Sequence, residues 1–206
     1  MSRRLSDFDA LVAACAVPAR GARRLIALAG PPASGKSTLA PRLADALGGA
    51  VVPMDGFHLD DTLLEPRGLL PRKGAPETFD QRGFARFIAD LATGGEVFHP
   101  TFDRTREIAI AQSGVVPAEC DTVVVEGNYL LLDAPGWREL AARWDLSVYL
   151  PVDPEVLEQR LIARWLGHGL PEQAARAKAM DNDIPNGARV AAALLDPDIT
   201  YTDTLP

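Results

Sequence analysis

The sequence predicts an α/β protein built on an open parallel sheet of five short strands with helices on both faces. Short apolar runs recur at 25–29, 50–54, 122–125, 146–150 and 199–202. They are too short for helices, and they are apolar without alternation, as strands covered on both faces are. Stretches with helical spacing separate them, which is the pattern of an α/β sheet.

The elements follow in order. Phe8, Leu11, Val12 and Cys15 give a leading amphipathic helix over 6–16. The run 25–29 ends at Gly30, and Leu39, Leu43 and Leu47 then mark a helix. Asp80 precedes an apolar stripe of Phe84, Phe87, Ile88 and Leu91 that Gly94 and Gly95 close. Asp153, Pro154 and Glu155 read as N-cap, first-turn proline and dipole-favoured acid. The stripe after them, Leu157, Leu161 and Trp165, is expected in the core, and Gly167 ends it. The stretch 181–187 reads as a turn-rich loop before a short helix and the last strand. Between the second and third strands, Asp55 to Asp121 contains Pro66, Pro71, Pro76, Pro100 and Pro117, a length that marks a lid or binding segment. We expect one domain over 1–206, with an acceptor-binding insert over about 55–121 and a lid over about 160–182.

Bulk properties exclude several classes. With 206 residues, 47% of them hydrophobic, the chain can bury one substantial core. A net charge of -7 argues against nucleic acid or anionic lipid as partner, since both need a broad basic surface. Cys15 and Cys120 are too few for a disulfide framework, and no Cys/His cluster has zinc spacing, so a cytoplasmic location is expected. Arg3 and Arg4 are followed by Asp7 and Asp9, unlike a signal peptide, and no apolar run reaches the roughly 18 residues of a membrane span. Nothing in the sequence fixes the oligomeric state.

The strongest motif is Gly30-Pro31-Pro32-Ala33-Ser34-Gly35-Lys36-Ser37-Thr38, a G-x-x-x-x-G-K-[ST] loop between a predicted strand and a predicted helix. Such a loop turns successive backbone N–H groups toward one centre, and the following helix N-terminus adds positive potential, so it cradles phosphate. Gly30, Ala33, Ser34, Gly35, Lys36, Ser37 and Thr38 are therefore expected to bind ATP. Lys36 would reach the β- and γ-phosphates, and Ser37 would ligate Mg²⁺. Lys36 is one of only three lysines, with Lys73 and Lys178, so its place in this loop does not reflect lysine abundance. The fold expected is that of P-loop NTPases.

The remaining residues bear on what the loop is for. Asp55 stands at the end of the second strand, the edge that faces the ligand crevice in open α/β sheets. It reads either as a base for an attacking hydroxyl or as the cap of a turn begun by Gly56. Glu126 follows the third strand, where an acid holds Mg²⁺ or its water shell, or caps the next element. Arg160 and Arg164 share a helical face before the Gly167-His168-Gly169 break, either as lid cations that neutralise the transferred group or as a solvated face. Arg67, Arg72, Lys73 and Arg104 give the insert a basic content that suits a polar or anionic acceptor, or is simply surface charge.

Taken in order, the loop, Asp55-Gly56-Phe57-His58, Lys73-Gly74-Ala75-Pro76-Glu77-Thr78-Phe79-Asp80, Phe102-Asp103-Arg104 and Val125-Glu126-Gly127-Asn128-Tyr129 resemble the small-molecule P-loop kinases that include uridine kinase, phosphoribulokinase and pantothenate kinase. The chain looks most similar to the nucleoside/nucleotide kinase-like branch that carries the label fructose-transport-system kinase. The resemblance implies a phosphotransferase that uses ATP and Mg²⁺ on an alcohol group of a small molecule. It also implies Asp55 as the acceptor-activating base, Glu126 on the magnesium side, and Arg160 and Arg164 as lid residues. Asp55, His58, Lys73, Arg104, Glu126 and Tyr129 are the expected acceptor contacts, with Asn182 and Asn186 in the lid-to-strand connection. Asp-Gly-Phe-His replaces the Asp-Ser-Phe-Tyr of uridine kinases and is closer to the pantothenate kinase pattern. Two alternatives remain: a nucleotide-dependent regulator, and a nucleoside monophosphate kinase. The guanine-reading Asn-Lys-x-Asp motif is absent.

Overall fold

The computed structural model describes residues 2–202; Met1 and residues 203–206, the ends of the expected 1–206 domain, lie outside the described residues. The strands are β1 (Arg3–Leu5), β2 (Arg24–Ala29), β3 (Ala50–Pro53), β4 (Val97–Asp103), β5 (Ile108–Val116), β6 (Thr122–Gly127), β7 (Leu146–Tyr149) and β8 (Ile199–Tyr201). Six of them form one sheet in the order β1-β8-β7-β2-β6-β3, every pair parallel. The helices are α1 (Phe8–Cys15), α2 (Lys36–Leu47), α3 (Asp61–Leu64), α4 (Gln81–Leu91), α5 (Pro154–Gly167), α6 (Glu172–Lys178) and α7 (Ile184–Ala192).

The unbroken apolar runs have the expected cause. Along β2, Leu25, Ala27 and Ala29 face a core formed with α4 and Trp137, while Ile26 and Leu28 face a second core formed with α1 and α2. Val123 and Val125 of β6 join the first core and Val124 the second. Each strand is thus covered on both faces, which removes any reason for polar alternation.

The expected five strands become six because β1 pairs with β8 at the sheet edge, Arg3 opposite Ile199 and Leu5 opposite Tyr201. Three residues that include Arg3 and Arg4 carry no apolar signal, and a partner almost 200 residues away defines them. The insert also holds more than a lid and one helix. Its β4 and β5 form an antiparallel hairpin, with an irregularity between His99 and Thr101. Pro100 lies at that irregularity, where the missing N–H removes no ladder bond.

Two further expectations are corrected. The stretch 181–187 is helical: a π-helical turn (Ala179–Asp183) runs into α7. Asn182 and Asn186 stand one turn apart and buried, with the Asn186 Nδ2 donating to the Asn182 Oδ1 at 3.2 Å, while the Asn182 Nδ2 reaches out of the helix to the Lys73 carbonyl at 2.9 Å. Trp165 stands at the margin of the core stripe of α5, packed against Leu157 and Leu161 yet not enclosed. Leu157 and Leu161 are buried, whereas Trp165 is only half-buried and borders an open cleft.

Candidate active site

The C-terminal ends of β2, β3, β6, β7 and β8 open on one cleft of about 940 Å³. The loop after β2 forms its floor, ending at Gly35, whose φ of 95° is left-handed. Such a φ suits glycine, and it lets the loop swing directly into α2. Gly30 is needed for a different reason: a Cβ there would stand 2.7 Å from the Ser34 Oγ and 2.8 Å from the Leu150 carbonyl. Ala33, Ser34, Gly35, Lys36, Ser37 and Thr38 all line the cleft, whereas Gly30 stands behind it and supplies a carbonyl.

That carbonyl is bound by Lys36. The Lys36 Nζ donates to the Gly30 carbonyl at 2.9 Å, the Pro31 carbonyl at 2.8 Å and the Ser34 Oγ at 3.3 Å, which uses all three ammonium protons. Burial pulls the Lys36 pKa down to about 8, against the pull of Glu126 and Asp55. Glu126, the penultimate residue of β6, is also buried and accepts a hydrogen bond from the Ser37 Oγ at 3.3 Å. Burial pushes its carboxyl above the usual range, Lys36 opposes this, and Asp55 adds to it.

Asp55 sits in a one-turn 3₁₀ helix (Met54–Phe57) that continues β3 over the cleft. Its carboxylate is ion-paired with Arg104, which the β4–β5 hairpin brings across from the other side. Gly56 permits this closeness, since a Cβ there would lie 2.1 Å from the Pro100 carbonyl of β4. His58 packs between Phe79 and Phe102, with ring centroids 4.1 Å and 4.5 Å away, and its Nδ1 lies 2.7 Å from the Asp55 carbonyl. Burial lowers the His58 pKa, which favours the neutral ring.

Of the insert cations Arg67, Arg72, Lys73 and Arg104, the fold brings Lys73 and Arg104 to the cleft. Lys73 binds the Asp61 carboxylate at 2.5 Å and the Glu107 carbonyl at 2.6 Å, and both Lys73 and Arg104 lie over the Phe102 ring. Arg72 is paired with Glu77 at 2.7 Å, and Arg67 donates to the Leu63 carbonyl; neither lines the cleft. Arg160 and Arg164 of α5 both line it from the opposite wall. Burial lowers the Arg164 pKa and Arg104 lowers it further, a sign that the two guanidiniums face the same space.

Tyr129 is placed differently from the expected acceptor contact. It is fully buried, and its hydroxyl donates to the Gly74 carbonyl at 2.5 Å, supporting the cleft wall from behind. Burial pushes its phenol pKa up. Sequence reasoning missed Trp165, Lys178, Asp183 and Glu107, all of which line the cleft. The Trp165 Nε1 donates to the Asp183 Oδ2 at 2.6 Å, and Lys178 lies over the indole ring. An apolar stripe read at helical spacing hides such a tryptophan, and only its i−1 arginine separates it from a core residue.

The donor set suits a magnesium ion shared with a nucleotide. Among the described residues no group of three or more His, Cys, Asp or Glu could hold a metal ion by itself. The Ser37 hydroxyl beside the buried Glu126 carboxylate offers the one or two hard oxygens that Mg²⁺ takes from protein when substrate phosphates supply the rest. No helix among the described residues is long and apolar enough to cross a membrane.

Known proteins resemble this chain over most of its length. The chain is 36% identical over 175 residues to "Uncharacterized protein YggC" of Escherichia coli (strain K12), covering 82% of this chain and 73% of that one. It is 35% identical over 192 residues to "Putative uridine kinase C227.14" of Schizosaccharomyces pombe, covering 86% and 82%. A pantothenate kinase of Nocardioides sp. is 34% identical over 156 residues, which are 69% of this chain and 47% of that longer enzyme. The crystal structure of a "putative fructose transport system kinase" from Silicibacter sp. TM1040 superimposes with a TM-score of 0.88 at 53% identity, over 93% of this chain and 98% of that one. The profile of the "Phosphoribulokinase / Uridine kinase family" matches residues 25–166, from β2 through the phosphate loop and the insert to the arginines of α5. The chain therefore belongs to the phosphoribulokinase/uridine kinase family and is a small-molecule P-loop kinase, a phosphotransferase with an alcohol group as acceptor.

Proposed function

We propose that this kinase transfers the γ-phosphoryl group of ATP, with Mg²⁺, to a hydroxyl of a small polar metabolite, and that a sugar of the fructose type heads the candidates. The observation that carries the reading is the convergence in one cleft of the phosphate loop with the Asp55–Arg104 pair at the end of β3. In this reading residues 1–206 are one kinase domain, with the acceptor insert over 55–121 and the lid over 160–182. The 53% identity to the Silicibacter protein supports placing sugars first. His58 fills the space between Phe79 and Phe102, so no base can stack between those rings, which favours a polyol over a nucleoside.

The geometry supports a role for each residue. The loop N–H groups and α2 would hold the phosphates, and Ser37 with Glu126 would hold Mg²⁺, which neutralises phosphate charge when bound. Asp55, ion-paired with Arg104, would orient the acceptor hydroxyl and take its proton as the new P–O bond forms and the bond to the β-phosphate oxygen breaks, releasing ADP. Lys36, Arg160 and Arg164 lie where charge gathers on the transferred group, and transfer chemistry of this kind is mostly positioning plus electrostatics. Lys73 and Arg104 contact the acceptor, and His58, whose neutral ring burial favours and whose Nδ1–H is donated to the Asp55 carbonyl, accepts one hydrogen bond from it at Nε2. The deciding experiment is a mass-spectrometric screen for phosphorylated product over sugars, nucleosides, pantothenate and nucleoside monophosphates with ATP and Mg²⁺. Acceptor-independent ADP alone, across the whole panel, would favour the regulatory reading instead.

Lys36 supplies a test that needs no acceptor. Its pKa is lowered to about 8 in the free protein, and a bound polyphosphate stabilises the ammonium and raises it again. Metal-free ATP should therefore bind with uptake of about half a proton at pH 8, falling toward zero near pH 6.5. Calorimetry in two buffers of different ionisation enthalpy reads this directly. An enthalpy independent of buffer at pH 8 would place Lys36 away from the phosphates.

A further inference from the structure

We propose that Asn182 is a positioning residue: it ties the acceptor segment Lys73–Gly74 to the helices that pack on the phosphate loop, and so couples nucleotide binding to the ordering of the acceptor site. The proposal rests on the kinase reading above and concerns how its two half-sites communicate.

The segment Lys73–Gly74 lines the cleft and is held from two sides. From the core, the Tyr129 hydroxyl donates to the Gly74 carbonyl at 2.5 Å, while the Gly74 N–H donates to the Thr78 Oγ at 2.9 Å. From the opposite wall, the Asn182 Nδ2 donates to the Lys73 carbonyl at 2.9 Å. Asn182 is 6% exposed, and its Oδ1 accepts from the Asn186 Nδ2, so the amide is fixed in orientation by its own helix. A buried amide held this way acts as a rigid connector, because losing either bond strands a desolvated polar group.

The element that carries Asn182 also touches the nucleotide side. The π turn (Ala179–Asp183) buries Ala179 in an apolar cluster with Leu157 and Leu161 of α5, and Ala33 of the phosphate loop and Ile184 pack against that cluster. Gly187 of α7 approaches so closely that an added Cβ would lie 3.4 Å from the Pro31 Cβ. The adjacent Asp183 accepts a hydrogen bond from the Trp165 Nε1, next to Arg164. One turn of helix therefore binds the acceptor segment through residue 182 and the arginine helix through residue 183, and π turns recur at such functional positions. Phosphates that engage the loop and Arg164 restrain this turn, and through Asn182 the Lys73 carbonyl. The coupling is reciprocal, so a bound acceptor raises nucleotide affinity by the same factor.

The test is amide hydrogen exchange of the full chain with and without a non-hydrolysable ATP analogue and Mg²⁺. In the wild type, the analogue should slow exchange in 30–38 and also, by about fivefold, in 70–79. Asn182→Ala should keep the protection of 30–38 and lose the response of 70–79. Asn182→Asp, which keeps the shape but turns an oxygen toward the Lys73 carbonyl, gives the same result if alanine fails to fold. Tyr129→Phe, which removes only the core-side bond, should speed exchange in 70–79 yet keep its response to the analogue. A retained response in both Asn182 variants, or an absent one in the wild type with 30–38 protected, overturns the coupling alone. No protection of 30–38 in the wild type overturns the kinase reading and the coupling with it.

Discussion

Asp55→Asn should lower acceptor-dependent turnover by roughly 10²- to 10⁴-fold, the range for loss of a positioned general base. The side chain keeps its shape, so a bound acceptor hydroxyl still meets an oxygen, but that oxygen no longer takes the proton. Arg104 loses its ion-pair partner at the same time, and the ion pair is only partly exposed, 41% for Arg104 and 22% for Asp55. The phosphate loop is untouched, so the dissociation constant for ATP should change less than about threefold while turnover falls, because binding common to ground and transition states is preserved. Steady-state kinetics with the acceptor found by the screen, set beside calorimetry with ATP, separates the two quantities. Near-normal turnover in Asp55→Asn would make Asp55 the cap of its own turn, the second reading its sequence allows.

The largest stability effect is expected far from the cleft, at Arg23. This arginine is 1% exposed and donates to the carbonyls of Cys120 at 2.7 Å, Pro117 at 2.5 Å and Gly95. Gly95 precedes β4 and Pro117 follows β5, so one guanidinium, on the residue before β2, fastens both ends of the hairpin to the sheet. Arg23→Met keeps much of the apolar stem but leaves these carbonyls desolvated without donors, which costs about 3–5 kcal/mol. For a chain of this length the melting temperature should fall on the order of 10 °C. Differential scanning calorimetry of Arg23→Met checks it, and a shift below about 2 °C would mean that water reaches the carbonyls in the variant. Because the hairpin delivers Arg104 to Asp55, activity should be lost on warming before the sheet itself melts.

How far the sequence could be read depended on how local the determining physics was. The phosphate loop was legible because glycine conformations and a lysine at fixed spacing state their geometry within nine residues. The central strands were legible because burial on both faces leaves no polar alternation. The helix after Asp80 was equally plain: its carboxylate accepts from the Gly83 N–H at 2.8 Å, as an N-cap should. The strand β1 was not legible, since its partner lies almost 200 residues away, and the hairpin was not, since its own residues carry mixed polarity. Trp165 reads as core by its spacing, yet the cleft beside it is made by other segments. Tyr129 shows the converse, an aromatic in a motif whose hydroxyl serves the backbone of Gly74.

Within the candidate site the division is the same. Asp55, Glu126, Arg160 and Arg164 can each be picked out along the chain by type and by position at a strand end or helix face, and Lys73 and Arg104 as basic residues of the insert. That they meet in one cleft, with Asp55 on Arg104 and Glu126 on Ser37, is a property of the folded chain. By itself the sequence determined a phosphate-binding loop on a parallel α/β sheet, because short-range backbone geometry and hydrophobic periodicity are encoded residue by residue. The tertiary structure alone decided which cations line the cleft, which aromatic rings pack around His58 and that Asn182 bonds the Lys73 carbonyl. Those contacts join segments about 50 to 110 residues apart, and their energy arises only when the fold brings buried polar groups within hydrogen-bond reach.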